Sequence, residues 1–83
     1  MIMVLLRKYI NYDNWVKTGE ELKYHDNGEL KEITNYTDGK KNGIYESYHQ
    51  FGKLYQEVNF KENLKTGIWK SYHNGQVYEK TYD

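Results

Sequence analysis

The sequence predicts an all-β protein, an antiparallel meander of repeated β-hairpins that forms a twisted, single-layer sheet with about 24 residues per repeat. Three observations predict this fold. Turn signals alternate at about nine and about fifteen residues, and the shorter interval holds a strand but no helix of usual length. The chain contains ten Tyr but is only 37% hydrophobic, which suits a half-exposed pleated sheet. Glycines recur in two series with one period, Gly19, Gly43 and Gly67 (the frame glycines), then Gly28, Gly52 and Gly75.

The elements follow from the turn signals in order. An N-terminal strand covers the apolar start of the chain, and three hairpins come after it. Asn27-Gly28 and Asn74-Gly75 are hairpin signals, because a tight primed turn needs positive φ. Polar connections at 37–42 and 61–66 are expected to be the longer loops between hairpins. The predicted strands are 2–12, 19–25, 29–36, 43–49, 53–60, 67–73 and 76–82.

The repeated residues define a single domain over residues 1–83. All three histidines follow a tyrosine at the same place in each repeat, as Tyr24-His25, Tyr48-His49 and Tyr72-His73. The other half of the repeat keeps an aromatic residue seven positions before each frame glycine, at Tyr12, Tyr36 and Phe60. The domain therefore divides into a half repeat (1–18), two repeats (19–42 and 43–66) and a partial repeat (67–83).

This pattern resembles a known repeat class. The repeats follow the motif G-x-[YW]-x-x-Y-[HY]-x-N-G, and an amphipathic strand that ends in Tyr or Phe comes after it. Over about residues 4 to 83, this arrangement is similar to the variant class of MORN (membrane occupation and recognition nexus) repeats. Bacterial members of that class are often described as putative antitoxins or as proteins of unknown function. The chain departs from the pattern at Glu21, Asn63 and Phe51, and one residue is missing before Gly75. We expect these departures to make the turns less uniform.

Composition narrows the functional classes. The 12 basic and 12 acidic residues give a net charge of +0, so no long-range field attracts nucleic acid or an anionic membrane. Charges alternate in sign along the strands, as in Lys31-Glu32 and Glu79-Lys80, which suits solvent-facing positions. No cysteine is present to form a disulfide, a thiol nucleophile or a cysteine zinc site. The sequence also lacks a Ser-His-Asp order and a phosphate-binding loop, so we expect no enzyme and no cofactor.

The histidines are not expected to bind a metal ion. Equivalent strands of successive repeats lie two strands apart, or about 9.6 Å. Zinc needs its ligand nitrogens at about 2.0 to 2.1 Å from one ion. The Tyr-His pairs are therefore interpreted as structural positions of the repeat.

The candidate binding residues are five aromatic side chains. Strand alternation places Tyr24, Tyr48 and Tyr72 on one face of the sheet, and Tyr45 and Trp69 on the other. Two readings stay open: the rings pack across strands as the core of a thin fold, or one face remains an exposed binding surface. We expect Tyr48, Tyr72 and Trp69 to contribute most to binding.

The leading functional hypothesis is a non-enzymatic module that binds a protein partner, as an antitoxin-like or scaffold component. The antitoxin part of this hypothesis rests on the resemblance, whereas the sequence itself contributes an extended aromatic sheet without catalytic equipment. The alternative is a module that binds lipid or a membrane surface, which neutral charge disfavours. A carbohydrate-binding protein or enzyme would require two carboxylates that face each other in a cleft.

The N-terminal residues carry two further expectations. The apolar run 1–6 precedes its basic residues and lacks a small-residue cleavage site, so it predicts a soluble, cytoplasmic protein, and it leaves open an export segment ahead of it. The run is also too short to span a membrane. Because it is apolar on both faces of an edge strand, we expect either a fold-back onto the sheet or a homodimer through residues 1–10.

Overall fold

The computed structural model describes residues 8–82, which form one seven-stranded antiparallel sheet. Each strand pairs with the next along the chain, in the order β1 to β7. The strands are β1 (Lys8–Asp13), β2 (Val16–Tyr24), β3 (Leu30–Thr37), β4 (Lys40–Tyr48), β5 (Leu54–Lys61), β6 (Leu64–His73) and β7 (Gln76–Tyr82). Residues 8–82 contain no helix, and so none that could cross a membrane. The predicted hairpin meander is confirmed.

The sheet is one layer thick. Its principal extents are 48 × 38 × 10 Å, so both faces are open to solvent. Among the described residues, Val58 is the one buried hydrophobic side chain, and the other buried residues are polar: Glu21, Thr34, Ser47 and Ser71. Cross-strand contacts, rather than an interior core, therefore stabilise the fold.

The connections predicted as longer loops are two-residue turns instead. Asp38 and Gly39 have φ of 50° and 82°, and Glu62 and Asn63 have φ of 48° and 71°. Such primed turns match the twist of the flanking strands, so pairing continues to the last residue before each turn. As a result, β4 and β6 begin three residues earlier than predicted, and β2 does the same after the equivalent Asn14–Trp15 turn.

The frame glycines lie inside these lengthened strands, at bulges. Gly43 has φ of 107°, and the β3–β4 register shifts beside it, between Thr34 and Tyr36. The side chain of Asn35 fills the irregularity and donates a hydrogen bond to the carbonyl oxygen of Ile44 at 2.8 Å. A Cβ at Gly43 would lie 3.4 Å from Cβ of Asn35. Positive φ and this close approach together require glycine.

The turns at the opposite end of the hairpins are of two kinds. In the first hairpin, the Gly28 N–H donates to the His25 carbonyl at 2.9 Å, and Asn27 lacks positive φ. Asn27-Gly28 is therefore not the primed turn that the sequence predicted. Asn74 and Gly75 do form one, with φ of 49° and 80°. The residue missing before Gly75 explains the difference, and the β6–β7 pair also runs without a register shift.

Two predictions fall partly outside the described residues. The first predicted strand begins at residue 2 and the predicted homodimer uses residues 1–10, whereas residues 1–7 and Asp83 are not described. Within the described part, the first strand begins at Lys8.

Candidate functional site

The sheet presents two chemically different faces. As predicted, alternation places Tyr45 and Trp69 on one face and Tyr48 and Tyr72, with Tyr24, on the other. We call the first the Trp69 face; its central residues are Glu21, Glu32, Thr34, Tyr36, Tyr45, Gln56, Val58, Phe60 and Trp69. We call the second the Tyr48 face; its central residues are Tyr24, Ile33, Ile44, Glu46, Tyr48, Glu57, Ile68, Lys70 and Tyr72.

One cross-strand hydrogen bond recurs on the Trp69 face. The indole N–H of Trp69 donates to Oε1 of Gln56 at 3.1 Å. One repeat earlier, the hydroxyl of Tyr45 donates to Oε1 of Glu32 at 2.8 Å. The pKa of Tyr45 is raised to about 12, first by burial and then by the hydrogen bond to Glu32. The polar atoms of both rings are thus committed within the sheet.

Glu21 takes the corresponding position in the first repeat, where it is a buried carboxylate with 3% exposure. Its Oε2 lies 3.2 Å from Nζ of Lys17 and 3.5 Å from Nζ of Lys8, and its Oε1 accepts a hydrogen bond from Tyr36 at 3.3 Å. Burial alone would raise the pKa of Glu21, but the Lys17 hydrogen bond and the nearby lysine charges outweigh it, so the pKa is lowered. Sequence reasoning noted Glu21 as a departure from the repeat and missed this network.

Lysines lie over aromatic rings along the same face. Each lysine that stands two residues before a frame glycine has its ammonium above a ring of the next strand. The pairs are Lys17 with Tyr36 (4.9 Å), Lys41 with Phe60 (5.1 Å) and Lys65 with Tyr82 (5.4 Å). Beside the last two pairs is a depression of ≈ 270 Å³, lined among others by Tyr45, Val58 and Trp69, which we call the Trp69 groove.

The tyrosines of the Tyr48 face donate hydrogen bonds to carboxylates of the same face. The hydroxyl of Tyr48 donates to Glu46 and that of Tyr72 donates to Glu57, each at 3.0 Å. The pKa of both tyrosines is raised, by burial first and then by the accepting carboxylate. Both rings are half-buried, so they serve as cross-strand packing and also contribute to the surface.

Apolar side chains of the Tyr48 face remain open to solvent. Ile44 and Ile68 each follow a frame glycine, and they are 48% and 47% exposed. Val77 extends the apolar surface onto β7, with 51% exposure. A depression of ≈ 470 Å³ includes both isoleucines together with Glu57 and Lys70. This face therefore combines exposed apolar area with hydrogen-bonded carboxylates.

The alternating charges of the sequence are sorted onto the two faces, because neighbouring residues of a strand point in opposite directions. The Trp69 face carries the lysines Lys8, Lys17, Lys23, Lys41, Lys65 and Lys80, with Glu21 and Glu32. The central rows of the Tyr48 face carry Glu20, Glu46, Glu57 and Glu79, with Lys70, and Lys40 and Lys61 lie on the same face beside the turns. The chain is neutral as a whole, yet the Trp69 face carries most of the strand lysines and the central rows of the Tyr48 face are acidic.

Glu46 and Glu57 are direct cross-strand partners, so the structure does bring two carboxylates face to face. They lie on an open sheet face and accept tyrosine hydrogen bonds, rather than lining the cleft that glycoside hydrolysis requires.

The histidines occupy three different local positions. His25 donates through Nε2 to the carbonyl of Tyr48 at 2.8 Å. His49 and His73 both contact the ring of Tyr55, at centroid distances of 4.8 and 5.1 Å. Residues 8–82 contain no group of three His, Cys, Asp or Glu side chains that could hold a metal ion.

Trp15 is a second residue that sequence reasoning missed. It is 96% exposed and has φ of 69° at the tip of the β1–β2 turn. The equivalent positions hold Gly39 and Asn63, which tolerate positive φ much better than a bulky side chain does. The sequence did contain this signal, because Trp15 is an aromatic residue at a repeat position where the later repeats have the turn-forming residues Gly39 and Asn63.

Comparison with known proteins bears on the repeat. The family model described as the MORN repeat variant matches residues 17–38 and 41–62, which correspond to the β2–β3 and β4–β5 hairpins. Neither the curated proteins nor the solved structures include a match to the chain. Because the two family matches cover more than half of its residues, the chain belongs to the MORN repeat variant family.

Proposed function

We propose that the protein is a non-enzymatic repeat module that binds a protein partner on its Tyr48 face. The observation that carries this proposal is the half-exposure of Ile44 and Ile68 at the same place in successive repeats. Tyr48 and Tyr72 lie on the same face, and tyrosine is enriched where proteins meet. A partner that covers this stripe would remove apolar surface from water at a regular spacing.

The charges of this face define the partner's chemistry. Glu46 and Glu57 have no ion pair within residues 8–82. A partner surface with apolar groups and with Lys or Arg would match both features. The carboxylates in the central rows of this face would instead repel an anionic membrane, so for the Tyr48 face we favour a protein over a lipid surface. An antitoxin-like role would fit this face if the neutralised protein is basic.

We further propose that Glu46 and Glu57 bind rather than catalyse. General acid catalysis by a carboxyl group requires an enclosed site where burial holds one proton on it. Here both side chains are half-buried on an open sheet.

The test uses a photo-crosslinking amino acid at Ile68, with a matched position at Lys65 on the Trp69 face. We expect protein adducts from Ile68 and few from Lys65 in an extract of the source cells. With the captured partner purified, Ile44→Ser and Tyr48→Ser should each weaken binding at least tenfold and leave Tm within a few degrees. Equal crosslinking from both faces, or binding that survives both substitutions, would refute the proposal.

A further inference from the structure

The sheet has no second layer to cover its apolar side chains. A β-sheet usually buries its apolar side against another layer of structure. In residues 8–82 that layer is missing, because all seven strands belong to one sheet, and Ile44 and Ile68 of the Tyr48 face stay half-exposed. Extents of 48 × 38 Å give each face more area than the about 800 Å² per partner that a stable protein interface buries.

The two faces carry opposite charges that are not neutralised within the sheet. Glu46 and Glu57 of the Tyr48 face form no ion pair within residues 8–82, although Lys70 lies across from Glu57. Lys41 and Lys65 of the Trp69 face form none within the same range, and their ammonium groups lie over aromatic rings. Each face therefore offers charges that the other could pair with.

The minority charges of each face lie where they interfere little with this complementarity. On the Trp69 face, the carboxylate of Glu21 is buried and paired with lysines, and that of Glu32 accepts the hydroxyl of Tyr45. On the Tyr48 face, Lys40 and Lys61 lie beside the turns, away from the central rows. The opposite signs of the two faces thus persist at the centre of the sheet.

Charge decides which faces of two copies can pack together. Two Tyr48 faces would bring their acidic rows together, and two Trp69 faces would bring their lysines together. A Tyr48 face laid on a Trp69 face instead joins opposite charges and covers the half-exposed isoleucines with an aromatic groove. Sheets of the same twist pack in this way with their strands nearly aligned.

We propose that the chain associates with itself front to back, with the Tyr48 face of one copy packed on the Trp69 face of the next. Ile44 and Ile68 of one copy cover the Trp69 groove of its neighbour, whose Lys41 and Lys65 pair with the acidic rows. An associated pair still leaves one face of each kind free, so the contact is heterologous and the assembly has no fixed size. This inference rests on the proposed function, because it names a second copy as one partner of the Tyr48 face.

The dependence of mass on concentration tests the assembly. In sedimentation velocity of the purified full chain, the weight-average mass should rise continuously from micromolar to millimolar concentration. It should fall again at high salt, because ion pairs contribute to the contact. A monomeric mass throughout would overturn the proposal. A mass that stops at the dimer would also overturn it, since it would show a closed contact between like faces.

Mixing two variants tests which faces meet. Ile44→Ser with Ile68→Ser damages the Tyr48 face, and Lys41→Gln with Lys65→Gln damages the Trp69 face. Alone, each double variant should associate at least tenfold more weakly than the parent. Mixed in equal amounts, they offer one intact face of each kind and should form a one-to-one complex that grows no further.

Neither double variant has a net positive charge, so opposite net charge does not draw them together. The control is Lys53→Glu in the exposed β4–β5 connection, which should associate like the parent. Far-UV circular dichroism is measured first to show that each variant keeps its sheet. A mixture without the one-to-one complex would overturn the proposal, and so would an equal loss of association in the control.

A photo-crosslinking amino acid at Ile68 locates the contact without changing either charged group. In the purified chain, peptide mapping should place the adduct on the Trp69 face of the second copy, and an adduct on its Tyr48 face would overturn the proposal. In the cell extract, adducts between two copies are identified by mass and kept apart from adducts with other proteins. A different protein captured at Ile68 by a chain that stays monomeric would therefore refute this inference and leave the proposed function standing.

Phosphatidylserine vesicles test the other occupant that the lysines of the Trp69 face could attract. We expect little of the purified chain to sediment with these vesicles. A monomeric chain that binds them, and loses that binding with Lys41→Gln and Lys65→Gln, would show that an anionic membrane covers this face. That result would overturn the proposal.

Discussion

Glu46 lies directly opposite Glu57 across the β4–β5 strand pair, so two carboxylates meet in one row of the Tyr48 face. Like charges in this position destabilise a sheet. The row continues to Lys70, which pairs with Glu57 on its other side and with Glu79 beyond. Glu46 therefore has the least favourable electrostatic neighbours of the three carboxylates.

Replacing Glu46 with Gln should stabilise the protein. The amide oxygen still accepts the Tyr48 hydrogen bond, and the repulsion from Glu57 disappears. We expect the free energy of unfolding at pH 7 to rise by about 0.2 to 1 kcal/mol, and the gain to shrink at high salt. Urea denaturation measures both. Glu79→Gln is the control, since it removes a favourable neighbour of Lys70, and an equal gain there would contradict the explanation.

Trp15 should be destabilising where it stands. A bulky residue in the left-handed region costs about 1 to 2 kcal/mol, and Asn accepts that conformation at lower cost. We expect Trp15→Asn to raise the free energy of unfolding by about 1 kcal/mol. The reciprocal change Asn63→Trp places the same side chain in an equivalent turn and should lower it. If Trp15→Asn destabilises, the ring makes stabilising contacts that its 96% exposure does not indicate.

Removing the Glu21 carboxylate should destabilise the protein, because its lysine partners lose their counter-charge. Glu21→Gln leaves Lys17 and Lys8 without their anion, and we expect a loss of about 1 to 3 kcal/mol in chemical denaturation. The double variant Lys8→Gln, Glu21→Trp recreates the Gln56–Trp69 pair of the third repeat. It should be more stable than the sum of its single variants indicates. Strict additivity would show that these two positions do not interact.

Acid should weaken the fold through the same residue. The pKa of Glu21 is lower in the folded chain than the ordinary value of 4.5. Its contribution to stability is therefore complete above pH 4.5 and is lost as the pH falls through the folded pKa. In Glu21→Gln, the unfolding free energy should depend less steeply on pH in this acidic window. An unchanged slope would assign acid sensitivity to other carboxylates.

High pH should destabilise the folded protein through ionisation of Tyr45. Its pKa rises from 10.0 to about 12 on folding, so its contribution is present below pH 10 and is lost as the pH rises toward 12. We expect a tyrosinate absorbance titration to show a late-ionising group that is missing from Tyr45→Phe. That variant should also lose less stability over the same range. Early ionisation of all ten tyrosines would contradict the buried bond to Glu32.

The strand number and the faces of the predicted tyrosines followed from local features. Hairpin turns and side-chain alternation depend on residues close in sequence, so the 24-residue period was enough to predict seven strands and to separate Tyr48 from Trp69. The ends of the strands could not be predicted from these local features. Residues 37–42 look like a polar loop, but the register of β3 on β4 extends both strands up to Asp38-Gly39.

The sequence by itself determined the repeat, the all-β class and the family of this protein, because each is encoded in spacing along the chain. The tertiary structure alone decided how charges are distributed between the two faces, since a net charge of +0 does not say on which face each charged side chain lies. It also decided that Glu21 is a buried anion and that, within residues 8–82, Lys41 and Lys65 form no ion pair. Those properties depend on which side chain lies across the neighbouring strand, and strand register is set by the turns and bulges of the folded sheet.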